Sequence, residues 1–523
     1  MSASSHQQDH VVIIGAGIGG LSAAALLAAK GCRVTVVEKA EHAGGKARRF
    51  DIGGAEVDAG PTVFTLRDVF ENIFSECGAR LTDHVTVRPA ETLARHAWSM
   101  DERLDLFADP DRSEEAIGDF AGAKAAKGFR SMRAEAKRIY DILDAPLLRQ
   151  GKVTWPPQFI QRIGLGRMGE LSAVRPYESM WKVLGEHFED QRLRQLYGRY
   201  ATYCGSSPFD APATLMLIGH VEAQGVWLID GGMSALAKGL QSIGEANGAH
   251  YRFGNAVTSI ETESGQASGV ILDSGEHIAA DRVIVNADPA ALANGRFGKN
   301  AQRATRTHMR RNRSFSAMVW LANAQTSGFP LKRHNVFFSP DYAQEFTDIW
   351  AGMPPKDPTV YVCAMDREKR EDVSGRERFQ VIVNAPANGD THVYSSKERE
   401  ECTRAMSRTL ARCGMELETD FPHQLLTPNE FESFLPSTGG AIYGRASHGW
   451  AASFLRQGTK TRIPGLYCAG GSTHPGAGVP MAALSGQLAA RTVMTDLAST
   501  RRSHPAAMPG GMSMPSATTG NTG

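Results

Sequence analysis

The seven cysteines of this chain (Cys32, Cys77, Cys204, Cys363, Cys402, Cys413 and Cys468) are odd in number and form no C-x-x-C pair. That pattern argues against a disulfide framework or a cysteine-based zinc site and fits a reducing cytoplasm. No charge sign prevails either: 57 Lys and Arg against 56 Asp and Glu leave a formal charge of +1. There is thus no bulk field to hold nucleic acid. H-E-x-x-H, G-x-S-x-G and P-loop patterns are missing, which withdraws support from metallohydrolase, serine hydrolase and NTPase readings. Met1–His10 lacks the basic start and apolar core of a secretory signal. The tail from about Ser499 to Gly523 is dominated by Ser, Pro, Gly, Met and Thr and is expected to be disordered.

What remains is a chain of 523 residues, 42% hydrophobic and 22% charged, ordinary for a soluble globular protein and long enough for two or three structural units. Val11-Val12-Ile13-Ile14 is a β-branched run suited to a strand buried on both faces. Gly15-Ala16-Gly17-Ile18-Gly19-Gly20 follows, giving G-x-G-x-x-G at Gly15, Gly17 and Gly20. Leu21 to Lys30 reads as helix, Gly31 ends it, and Arg33 to Val37 forms a second strand closing on Glu38. Gly15 permits the tight turn, Gly17 lets backbone meet a pyrophosphate, and Gly20 lets helix and strand pack closely. Glu38 is placed to accept the ribose hydroxyls. The run Val11 to Ala29 is nearly uncharged, but its clustered glycines and the complete βαβ unit argue against a membrane span.

An acid at Glu38 argues against NADP and leaves FAD and NAD. The segment Gly44-Gly45-Lys46-Ala47-Arg48 places a glycine pair and two cations just past the ribose site, where an extended FAD needs backbone approach and phosphate neutralisation. Asp58-Ala59-Gly60-Pro61-Thr62 adds another turn with accessible backbone. An NAD domain needs neither, so FAD is the expected cofactor, with Gly45, Lys46, Gly60, Pro61 and Thr62 among its contacts. Near the other end, Gly465 to Met481 reads as a short strand, a glycine-rich turn and a helix opening at Val479-Pro480. Pro480 suits a first helical turn, and such a helix start favours negative charge. Gly470, Gly471, Ala477, Gly478, Val479, Pro480 and Met481 are therefore candidate cofactor contacts, joined by Val257 through backbone and Asn286 through its side chain.

Two glycine-rich turns at opposite ends serving one nucleotide require interleaved domains. We expect an α/β fold with a Rossmann-like FAD-binding domain made of 9–90, 226–291 and 445–498. A mixed-sheet substrate domain comprises 91–112 and 292–444, a helical subdomain 113–225, and the tail 499–523. Within the helical part, Ser113 to Leu148 reads as helix. From Gly151 to Phe188, the apolar residues Trp155-Pro156-Pro157, Phe159-Ile160, Ile163, Leu165, Met168, Tyr177 and Trp181 sit among Lys152, Arg162, Arg167, Arg175 and Lys182. This mixture suits either contact with a membrane surface or a lid packed on its own core.

The fingerprint, Gly44-Gly45-Lys46, Asp58-Ala59-Gly60-Pro61-Thr62 and especially Thr473-His474-Pro475-Gly476-Ala477-Gly478-Val479-Pro480-Met481 resemble the bacterial-type carotenoid (phytoene) desaturases. That family lies within the flavin amine oxidase superfamily, and the similarity runs from about Val11 to Leu497. Leu93-Ala94-Arg95-His96-Ala97-Trp98, Gly198-Arg199-Tyr200-Ala201-Thr202-Tyr203 and Glu222-Ala223-Gln224-Gly225-Val226-Trp227 resemble the branch acting on 1-hydroxy or 1-methoxy carotenoids, the 3,4-desaturases. The long polar tail departs from the family pattern.

The resemblance implies hydride loss to flavin N5 and proton loss from the neighbouring carbon, from a polyene held mainly by apolar burial. It also implies that the backbone N–H groups of Val479 to Met481 face the flavin pyrimidine edge. A carbocation beside a conjugated chain is delocalised, so no catalytic residue is nominated. His474, squeezed between Thr473 and Pro475, is read as structural or as a flavin contact. Arg95, His96 and Tyr200 are placed either to meet the substrate's terminal hydroxyl or to make internal salt bridges and core hydrogen bonds. The expected partners are a lipophilic carotenoid and an electron acceptor, oxygen or a quinone, with peripheral contact at the bacterial inner membrane from the cytoplasm. Competing readings are a phytoene desaturase, a redox-neutral flavin-dependent carotenoid isomerase, an amine oxidase, and a flavin-free isoprenoid escort protein of the same fold.

Overall fold

The computed structural model describes residues 8–152, 158, 161, 162, 164, 174–306, 310–367, 375–449 and 452–503. Strand His10–Ile14 is buried throughout, as its β-branched run requires. It lies at the centre of a parallel sheet ordered Leu466–Cys468, Arg282–Val285, His10–Ile14, Arg33–Val37, Ala249–Arg252. Alternation sorts its side chains. Val11, Ile13, Val34, Val36 and Ile284 enter one core with helices Ile18–Ala29, Met233–Ala246 and Val479–Ser503. Val12, Ile14, Val37, Val283 and Val285 enter another with the antiparallel strands Val257–Glu263, Gln266–Leu272 and His277–Ala279. Glycine governs the helix packing, since a Cβ on Gly486 would stand 2.1 Å from the Gly19 carbonyl oxygen.

A second sheet runs His423–Leu426, Ser316–Ala324, Glu377–Ala385, Val360–Ala364, His334–Phe337, Thr92–Ala97, Arg103–Phe107. Its pairs are antiparallel except His334–Phe337 with Thr92–Ala97, which are parallel. Two neighbouring residues on one strand face opposite sides. Phe337, Val360, Val362, Phe379 and Val381 thus pack under helix Ser396–Arg412, while Val336 and Phe338 meet the helical layer on the other face.

In that layer the expected helix from Ser113 to Leu148 is divided. Asp109 caps helix Pro110–Ala121 through the Asp111 N–H, and Gly122, at φ +87°, separates it from helix Ala123–Leu143. Only glycine takes that conformation without strain, and a π-helical turn, Asp144–Leu148, follows. The C-terminal helix Val479–Ser503 continues past Ser499, and 504–523 lie outside the described residues. So do Trp155, Pro156, Pro157, Phe159, Ile160, Ile163, Leu165, Arg167 and Met168 of the aromatic-basic segment. Among the described residues no helix is long and apolar enough to cross a membrane.

Candidate active site

The first sheet brings the two glycine-rich turns together at the carboxyl ends of its strands. The Gly15 N–H donates to the Val37 carbonyl at 2.8 Å. Glu38, 8% exposed, accepts from the Ala16 N–H at 2.7 Å and from the Ala40 N–H at 2.9 Å. The acid therefore closes the turn and keeps lone pairs for further donors. A Cβ on Gly20 would stand 2.1 Å from the Gly15 oxygen, and one on Gly45 would stand 3.0 Å from the Gly17 Cα. Gly45 and Gly17 thus form facing bare backbone. Gly60 abuts the same turn, its missing Cβ lying 2.1 Å from the Lys46 oxygen.

Asn286 ties both ends of the chain. Its Nδ2 donates to the Gly15 oxygen at 3.1 Å, and its Oδ1 would lie 2.6 Å from a Cβ on Gly470. Gly471 is half-buried beside it. Ala477 and Gly478 are accessible just before the helix that starts at Val479 and Pro480, whose first N–H groups have no partner within the helix. Met481 packs partly against the core beneath. Val257 opens its strand and packs partly against the cluster containing Ile14 and Val37. His474 is held by its backbone N–H to the Gln457 carbonyl at 2.8 Å and by its Nε2 at 2.8 Å from the Gln150 carbonyl.

These groups fit an extended anionic dinucleotide. Bare backbone lines the junction of the two turns, and positive charge lies under it. The Lys46 ammonium donates to the Ile442 carbonyl, and burial pushes it down to about 8, against the pull of Asp288 and with the push of Arg456. Arg456 is itself buried and donates to the Tyr443 and Arg445 carbonyls at 3.0 and 2.7 Å. A half-buried and a buried cation near one carboxylate leave room for an anion.

The second sheet presents a polar row toward the same turn. Register places Gln380, Tyr361, His334 and His96 on one face of four adjacent strands. Gln380 donates to the Gly60 carbonyl at 3.0 Å. The Tyr361 hydroxyl lies 2.7 Å from both the Thr62 Oγ1 and the His334 Nδ1. Burial, aided by Arg333 and Arg199, pushes His334 down to about 3, so it is neutral. His96 is also neutral, driven well below the ordinary range by burial and the Arg199 charge. Above the row lies Arg199, buried, its guanidinium carbon 5.0 Å from the Tyr203 ring centroid and 5.8 Å from that of Tyr200.

The three residues considered for the terminal hydroxyl take different places. Arg95 is committed to Asp105, with Nε and Nη2 both 2.7 Å from the carboxylate. Tyr200 donates to the buried Glu222 carboxylate. His96 has its Nδ1 3.2 Å from the Leu104 carbonyl, stacks on Phe338, and leaves its Nε2 unpartnered. Gln380, Tyr361 and His334 were not nominated from sequence; their signal is a polar residue at an alternate position of an otherwise apolar strand. In the aromatic-basic segment, Arg175 is engaged by Glu178 and Glu186 and Lys182 by Glu178, while Trp181 packs on Phe209.

A model of the flavin-containing amine oxidoreductase family matches residues 18–494. The chain is 48% identical over 514 residues to a hydroxyneurosporene desaturase of Rubrivivax gelatinosus, covering 98% of each chain. To another hydroxyneurosporene desaturase, from Cereibacter sphaeroides, it is 42% identical, covering 94% of this chain and 99% of that one. Among solved structures, an oxidoreductase from Methanosarcina mazei matches with a TM-score of 0.58 at 18% identity, over 93% of this chain and 100% of that one. The chain belongs to the flavin-containing amine oxidoreductases and, within them, to the bacterial carotenoid desaturases. It is an FAD-dependent oxidoreductase acting on carotenoids.

Proposed function

We propose that this enzyme introduces the 3,4 double bond into acyclic 1-hydroxy or 1-methoxy carotenoids such as hydroxyneurosporene. The observation that carries this reading is the full-length likeness to hydroxyneurosporene desaturases. A buried polar row beside the Gly60–Thr62 turn supports it, because an unmodified hydrocarbon substrate has no use for such a row.

FAD, when bound, supplies the hydride acceptor. Gly15, Gly17, Gly20 and Glu38 would hold its adenosine half, with Asn286 and Val257 at the flank. Gly45 and Lys46 would meet the phosphates, Gly60, Pro61 and Thr62 would border the ring, and Gly470, Gly471 and Ala477 to Met481 would hold its pyrimidine end. Apolar side chains of the helical layer and the second sheet exclude water, so the substrate loses solvent before it reacts. The same reading includes the interleaved division given above, with 9–90, 226–291 and 445–498 in one unit. The substrate's lipophilicity supports a peripheral place on the cytoplasmic side of the inner membrane, with oxygen or a quinone as acceptor.

The test is incubation with FAD and separate liposomes of phytoene, neurosporene and their 1-hydroxy derivatives, followed by product mass and absorbance. Loss of two hydrogens from the hydroxylated substrates is expected. Loss from phytoene alone would overturn the substrate assignment, and an unchanged mass with altered absorbance would indicate isomerisation.

A further inference from the structure

Arg199 Nε, His96 Nε2 and His334 Nε2 are buried without a hydrogen-bond partner, as are the Tyr342 hydroxyl, packed on Phe338, and Oε1 of Gln380 in the same polar row. Buried polar atoms are seldom left unpaired, and each such orphan asks for a ligand or an ordered water. They belong to one neighbourhood. His96 and His334 share a face of adjacent parallel strands. Arg199 sits in the helical layer whose apolar core includes Tyr200, Val336 and Phe338 of that interface, and its charge acts on both imidazoles.

Their chemistry is complementary. Arg199 Nε–H can only donate. The rest of its guanidinium lies over the Tyr203 and Tyr200 rings, and Tyr203 also bonds it through its hydroxyl. The Leu104 carbonyl can only accept, so the His96 Nδ1 carries the proton and its Nε2 is a bare acceptor. A buried donor and a buried acceptor without partners match one hydroxyl group. They do not match a carboxylate, which would meet the His96 lone pair, or a hydrocarbon, which would leave both unpaired.

Resting on the function proposed above, we infer that Arg199 and His96 form the subsite for the C1 oxygen of the substrate, Arg199 Nε–H donating to it and the hydroxyl proton going to His96 Nε2. The place agrees with the constitution of the substrate. C1 is two bonds from C3, so its oxygen must bind close to the flavin. His334, Tyr361 and Thr62 continue from His96 toward the Gly60–Thr62 turn on successive strands. Arg95, the basic residue nearest in sequence, is excluded by its bidentate pairing to Asp105.

The experiment compares wild type with Arg199→Leu, Arg199→Lys and His96→Phe, the last retaining a ring against Phe338. Dissociation constants for neurosporene, 1-hydroxyneurosporene and 1-methoxyneurosporene are read from quenching of tryptophan fluorescence, alongside turnover, flavin absorbance and melting temperature. Wild type should bind the oxygenated ends more tightly than the hydrocarbon. Arg199→Leu should weaken the hydroxylated ligand by on the order of 10–100-fold and the hydrocarbon far less, with Arg199→Lys between. His96→Phe should remove only the advantage of hydroxyl over methoxyl, which has no proton to give. Unchanged ligand ratios in variants that keep flavin and melt normally would overturn the subsite while leaving the function standing. A wild type that neither binds nor turns over the oxygenated substrates in preference to the hydrocarbon would overturn both. Should Arg199→Leu fail to fold, Arg199→Lys and His96→Phe decide by the same ratios.

Discussion

Asn286 Nδ2 and the Gly15 carbonyl oxygen stand 3.1 Å apart although 271 positions separate the residues in sequence. With Asn286 Oδ1 against Gly470, this one side chain joins the turns from the two ends of the chain. Asn286→Leu keeps the shape and removes the hydrogen bond to Gly15. The Gly15 oxygen then loses a donor in a part-buried place, a loss of about 1–3 kcal/mol. We expect a lower melting temperature and on the order of tenfold weaker FAD binding, measured by thermal unfolding and flavin titration.

Gly20 tests the same junction by crowding. Its Cβ would lie 2.1 Å from the Gly15 oxygen, which belongs to backbone and has no flexible end to swing aside. Gly20→Ala must therefore shift the helix away from the strand, at about 1–3 kcal/mol. The variant should purify with little flavin and melt early. Flavin content per chain and a melting temperature equal to wild type would refute the packing argument.

Much of this junction is legible in the sequence. Gly15, Gly17, Gly20 and Glu38 follow from local chemistry within one βαβ unit, and Val11 to Ile14 alternate between two cores as a doubly covered strand must. The polar row was not readable. His334, Tyr361 and Gln380 become neighbours through strand order, and nothing local announces that His334–Phe337 will pair in parallel with Thr92–Ala97. The helix break at Gly122 is hidden for a related reason. Its flanks are alanine-rich and helical by propensity, and one left-handed glycine outweighs them. For Arg95, the cross-strand partner Asp105 decides between two roles that its sequence neighbourhood leaves equal.

Glu345 gives a pH signature away from the site. It is 2% exposed, accepts from the Thr359 N–H at 3.0 Å, and is pushed by burial up to about 7 from 4.5. Between those values the folded chain holds a proton that the unfolded chain has released. Stability from this group is therefore present below about pH 4.5 and is lost as pH rises through 7. Glu345→Gln should flatten that part of the stability profile and leave the variant more stable than wild type at pH 8, by about 1–3 kcal/mol. Urea unfolding across about pH 5 to 8.5 reads it.

Lys46 has the opposite sign and reports on the cofactor site itself. Burial lowers its ammonium from 10.5 to about 8, with Asp288 holding it up and Arg456 pressing it down. Below about 8 both folded and unfolded chains carry the proton, and the folded chain bears the cost of a partly desolvated charge. From about 8 to 10.5 the unfolded chain keeps the proton and the folded one loses it, so the contribution of this group to stability rises with pH across that window. An anionic phosphate beside Lys46 would favour its charged form and move the window upward. FAD-free protein should thus show a rise in stability above pH 8 that Lys46→Met abolishes and that FAD suppresses. If FAD leaves the rise unaltered while binding normally, Lys46 does not meet the phosphates, and neutralisation falls to Arg456 and the helix start at Val479.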